Sequence, residues 1–83
     1  MALALQALAF VAGDDDALGR FMAGSGLSQS DLAARADDPV LLGFVLDFLL
    51  SEDRLAEAFC TVAEVKPETV MRARAELPGG DAA

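Results

Sequence analysis

Three consecutive carboxylates, Asp14, Asp15 and Asp16, are the first residues along this 83-residue chain whose type and spacing suggest chemistry, that of holding a cation. A calcium loop alternates its ligands and ends on a glycine and a bidentate glutamate, and neither is present, so helix capping is the preferred reading. The single cysteine, Cys60, stands beside Phe59 without histidine or an adjacent lysine to favour the thiolate, and reads as a small buried hydrophobe. With no histidine and one cysteine, a zinc cluster cannot be assembled and no internal disulfide can form, which points to a reducing, cytoplasmic compartment. The other carboxylates fall in first turns or on polar helix faces, and nothing in their spacing sets up a general acid/base pair. Lys66, Arg72 and Arg74 form the one local basic concentration. They suit either a helix C-terminal dipole or a patch that recognises acids. No catalytic, cofactor-binding or metal-ligating residue is assigned, and the chain is not expected to be an enzyme.

The segment Gly26-Leu27-Ser28-Gln29-Ser30-Asp31-Leu32-Ala33-Ala34-Arg35 resembles the first helix of phage-repressor-type helix-turn-helix domains. Such a domain needs a recognition helix with polar side chains next in sequence. The next helical segment of this chain is Pro39 to Leu50, whose only polar side chain is Asp47. A net charge of −8 and a pI near 4.1 also repel phosphate backbones and anionic lipid headgroups. DNA binding is therefore the secondary reading, and a membrane is not expected as a partner.

The elements that must position these residues are helices. Hydrophobic residues make up 54% of the chain, most of them Ala and Leu, enough to fold a small single domain and rich in helix formers. Six segments can be read from their end signals. The first is Ala2 to Ala12, closed by Gly13. Its apolar run could suggest a secretory segment, but no basic residue leads it and aspartates follow, so a first helix is preferred. The second starts at Asp14 or Asp15 as N-cap and ends at Gly24 and Gly26. The third is capped by Ser28, with Asp31 completing a capping box and Leu27 and Leu32 spaced as a staple, and runs to about Ala36. Asp38-Pro39 starts the fourth, Pro39 to Leu50. Ser51 is read as the cap of the fifth, which extends to about Glu64, and Pro67 opens the sixth. The domain is expected over residues 1–77, with 78–83 a disordered tail behind Leu77-Pro78-Gly79-Gly80.

The fourth segment is apolar on nearly every side, the pattern of a buried helix, and is expected to run through the centre with Gly43 and Asp47 marking its strip nearest solvent. At 11 residues, Val40 to Leu50 is too short for the roughly 18–20 residues of a membrane span. Shifting the chain by 38 residues superposes the first three segments on the last three, with Leu3, Leu8, Phe10, Asp15 and Phe21 meeting Leu41, Leu46, Phe48, Asp53 and Phe59. The fold class is thus all-α, a compact bundle of five to six short helices around a buried central one. Its halves are either two pseudo-repeated three-helix units or two similar patterns without common origin.

Leu8-Ala9-Phe10, the aspartates leading to Leu18-Gly19-Arg20-Phe21, Gly26-Leu27-Ser28, Asp38-Pro39, Val45-Leu46-Asp47-Phe48-Leu49-Leu50 and Pro67-Glu68-x-Val70 together resemble the DUF3572 family, short alphaproteobacterial proteins grouped as a domain of unknown function. The resemblance implies a small cytoplasmic helical protein and carries no activity, cofactor or binding residue to transfer. The residues themselves favour an interaction or adaptor module, since the first and fifth helices look more apolar than one small core requires. That surplus suits a protein partner or self-association, and no small-molecule substrate can be identified. Asp47 is either exposed on a half-buried helix or a buried acceptor for an arginine such as Arg20 or Arg35. Denaturation of Asp47→Ala separates the two: a loss below about 0.5 kcal/mol marks exposure, and several kcal/mol mark burial.

Overall fold

The computed structural model describes residues 2–77, and those residues form α1 (Ala2–Ala12), α2 (Asp15–Ser25), α3 (Gln29–Ala34), α4 (Pro39–Ser51), α5 (Asp53–Ala63) and α6 (Pro67–Ala75). The fold is an all-α bundle. The expected tail, 78–83, lies outside the described residues.

Local chemistry sets most of the helix starts. The Asp14 carboxylate accepts from the backbone N–H groups of Asp16 and Ala17 at the head of α2. Ser28 and Asp31 close a reciprocal capping box on α3, and Asp38 accepts from Val40 N–H ahead of Pro39. These bonds satisfy first-turn donors that a helix leaves orphaned. They also favour the ionised acids: Asp31 through Ser28, and Asp38 through Arg35 and then Val40, titrate below the ordinary 3.8. The stability that the ionised carboxylates add to these caps is therefore fully present above that pH and is lost as pH falls through the depressed values.

Four end signals act differently from their sequence reading. Gly13 does not take the left-handed conformation, which among the described residues belongs to Gly26 (φ 76°) and Glu64 (φ 58°). Gly24 lies inside α2, so Gly26 alone ends that helix. The third helix stops at Ala34. Ser51 is the last residue of α4, its hydroxyl donating to Phe48 O, and Glu52 is the N-cap of α5 without a side-chain cap bond. A serine near a helix end can satisfy a carbonyl behind it as readily as a donor ahead.

Helix α4 is the core. Leu42, Val45, Leu46 and Leu49 are inaccessible and Leu41 nearly so, with α1, α5 and α6 packed around them. The most extensive helix–helix contact is between α1 and α4, and α1 buries Ala4, Ala7, Leu8 and Val11. Each fully buried leucine contributes about 1.5–3 kcal/mol of transfer free energy. Of the two residues expected to mark the exposed strip of α4, Asp47 does and Gly43 does not. Gly43 is buried, and the outward residues are Val40, Phe44, Asp47 and Ser51, spaced four, three and four apart on one helical face.

The 38-residue offset reappears in the structure. It carries α2 onto α5 end for end, the start of α3 onto the start of α6, and left-handed Gly26 onto left-handed Glu64. Buried Ala4, Ala7, Leu8, Val11, Phe21 and Leu32 fall on buried Leu42, Val45, Leu46, Leu49, Phe59 and Val70. Two edge-to-face ring pairs join the halves: Phe10 of α1 with Phe59 of α5 at 5.5 Å, and Phe21 of α2 with Phe48 of α4 at 5.4 Å. The offset turns Phe10 into Phe48 and Phe21 into Phe59, so these are one contact made twice with the halves exchanged, as across a two-fold axis.

Gly26 and Glu64 hold equivalent left-handed caps, but only glycine adopts that conformation without a steric penalty. Gly26→Ala is expected to lower stability by about 1 kcal/mol and Glu64→Gly to raise it by about 0.5–1 kcal/mol. Urea denaturation of the two variants beside the parent checks both signs.

Candidate functional site: a groove between α2 and α4

The exposed strip of α4 forms one wall of a groove of about 450 Å³ whose other wall is the C-terminal half of α2. Phe21 and Phe48 are its apolar floor, Phe21 buried and Phe48 half-buried, while Phe44 stands at the edge with 48% of its surface exposed. Gly24, Ser25 and Leu27 continue the α2 side into the α2–α3 turn, and Arg20, Arg35 and Asp47 supply the charge.

Each charged group is positioned by a neighbour. The Arg20 Nη1 donates to Glu52 Oε1 at 2.7 Å and its Nε to Asp16 at 3.1 Å, with the guanidinium 5.9 Å from the centre of the Phe48 ring. Glu52, then Asp16, hold it more firmly protonated than usual. Arg35 donates through Nε and Nη2 to Asp38 Oδ2. The Arg20 and Arg35 pairs are largely exposed, so each adds little stability and exchanges readily for another acceptor.

Asp47 behaves differently. Its carboxylate is 54% exposed, yet both oxygens accept from Arg74, whose side chain is 7% exposed, at 2.6 Å (Nε to Oδ1) and 2.8 Å (Nη2 to Oδ2). Arg74 Nη1 also donates to Leu77 O at 3.4 Å. The bond to Asp47 strengthens protonation of Arg74 against the burial that opposes it. Asp47 is thus an exposed acceptor for an arginine, and the arginine is neither Arg20 nor Arg35. The pair joins α4 to the end of α6 and fixes Asp47 on the groove wall.

The other sequence candidates serve packing or helix ends. Asp14 caps α2, and Asp16 belongs to the Arg20 network. Cys60 is buried, and burial followed by the charge of Glu68 pushes its thiol above the usual 9.0. Arg72 and Lys66 are exposed and do not join Arg74 in a basic patch. Helix α3 caps as read, while α4 behind it spends Leu41, Leu42, Val45, Leu46 and Leu49 on the core. Sequence reasoning did not single out Phe44 and Phe48. The signal was the phase of α4: Asp47 faces outward, and Phe44, three residues earlier, shares its side.

A second groove, of about 430 Å³, lies between α1 and α5 and is lined by Gln6, Ala9, Phe10, Phe59, Val62 and Ala63. The 38-residue offset places every one of these on a residue of the first groove: Phe44, Asp47, Phe48, Phe21, Gly24 and Ser25. Where the first groove has Arg20, Ser25, Arg35 and Asp47, the offset positions hold Ala58, Ala63, Ala73 and Ala9. One half of the repeat carries charge and the other alanine.

The family profile of DUF3572, proteins of unknown function, matches residues 1–80. The chain belongs to that family. No curated protein and no solved structure matches it. Within this DUF3572 chain, no helix among the described residues is long and apolar enough to cross a membrane.

Removing Asp47 takes away the two bonds that its carboxylate accepts from buried Arg74, whereas Arg74→Met replaces the cation by an apolar side chain of similar length. Asp47→Ala is expected to cost about 1–3 kcal/mol and Arg74→Met less, with the double variant close to Arg74→Met alone. A urea double-mutant cycle checks this; additive losses would show the pair uncoupled.

Proposed function

We propose that this chain is a non-catalytic protein-interaction module and that the α2–α4 groove is its recognition surface. The observation that carries the reading is Phe44, a large apolar side chain left 48% exposed on the helix that forms the core, beside half-buried Phe48 and two arginines. Aromatic and arginine side chains around an apolar depression are the composition of binding hot spots. The ionisable groups lining the groove, Arg20, Arg35 and Asp47, each sit in an ion pair, an arrangement suited to orienting a bound surface rather than to moving protons.

Phe44 touches the function without holding the fold, so Phe44→Glu should leave stability within about 0.5 kcal/mol. Affinity capture from native-host lysate with the parent and with Phe44→Glu as baits, read by quantitative mass spectrometry, is expected to enrich specific proteins on the parent. The variant should lose them by at least about tenfold. Identical sets on both baits, or no enrichment over blank matrix, overturns the reading.

A further inference from the structure

Gly24 is the next-to-last residue of α2, glycine is a poorer helix former than alanine, and a Cβ built on it would meet nothing within 4 Å. The fold's own packing therefore does not require a glycine there. Its offset partner in the other groove is Val62, a side chain 69% exposed that stands in the equivalent space. The open position at Gly24 occurs in the groove that also carries the arginines, and the filled position occurs where those arginines are alanines.

The charges show what suits that space. In a chain of net charge −8, two of six basic residues line this one groove. Asp47, its one acidic lining residue among those described, is matched by Arg74 behind it. Among the described residues Arg20 donates through Nε and Nη1 and Arg35 through Nε and Nη2, so Nη2 of the first and Nη1 of the second keep donors for an acceptor in the groove. We propose that the α2–α4 groove receives an acidic peptide segment of a protein partner. An apolar anchor side chain sits against Phe44 and Phe48, carboxylates are taken by Arg20 and Arg35, and the peptide backbone passes over Gly24, where only a residue without a side chain leaves room. This deepens the interaction-module reading and rests on it.

A random-peptide display library panned against the whole chain tests both. Selected peptides, synthesised and titrated by fluorescence anisotropy, are expected to combine Phe, Leu or Trp with Asp or Glu. Gly24→Val, copying Val62, should weaken them by at least about tenfold while the circular dichroism spectrum is kept, and Arg20→Gln with Arg35→Gln should weaken them by about tenfold. Val62→Ala on the opposite groove should change affinity less than about twofold. Gly24→Ala should raise the Tm by about 2–5 °C, marking the glycine as one the fold does not need. Peptides without acidic bias, or held equally by Gly24→Val and by the arginine double variant, overturn this assignment and leave the module reading standing. Absence of any enrichment, with no partner captured by the parent bait, overturns both.

Discussion

The structure depends on the burial of α4. Five of its side chains, Leu41, Leu42, Val45, Leu46 and Leu49, are at most 1% exposed, and a helix of this composition has no stable existence outside a shell of other helices. Helix α1 supplies the main wall of that shell, and its Ala4 and Ala7 stand at the positions that the offset assigns to Leu42 and Val45. Small residues on one helix and large ones on the other let the two repeats fill a common core. Gly26 and Glu64 turn the chain the same way after α2 and after α5, and the two phenylalanine pairs join each half to the other. Edge-to-face pairs of this kind contribute about 0.5–1.5 kcal/mol beyond the area they bury.

A core built from one greasy helix also determines where its polar surface can lie. Helix α4 has one polar side chain before its final serine, and the face that carries Asp47 is the face its neighbours leave uncovered. The bond to Arg74 commits that aspartate to α6 while leaving its carboxylate in reach of solvent. Polar and apolar surface then meet along one line, with Phe44 and Phe48 on α4 facing Arg20 and Gly24 on α2. The α1–α5 groove has the same shape and two phenylalanines but alanines at the charged positions. Of the two depressions, one therefore carries charge and the other does not.

The helices are legible in the residues alone, because their signals are local. Asp14, Ser28 with Asp31, and Asp38-Pro39 are capping chemistry confined to a few residues, and α2, α3 and α4 begin directly after those caps. The apolar run of α4 identified the core, and the offset of 38 residues was present in the order of residue types. Ser51 was a local ambiguity, having a carbonyl behind it to satisfy; Glu64 closes α5 where the sequence ends it, in a left-handed conformation that no glycine advertised. Packing alone set the contacts that join residues far apart in the chain. Arg74 reaches Asp47 across 27 residues and Arg20 reaches Glu52 across 32, and neither spacing follows from helix periodicity. The phase of α4 was open for the same reason: with nearly every side apolar, the helix had no preferred outward face of its own. The neighbours packed against it chose Phe44 over Gly43, and with that choice they made the groove.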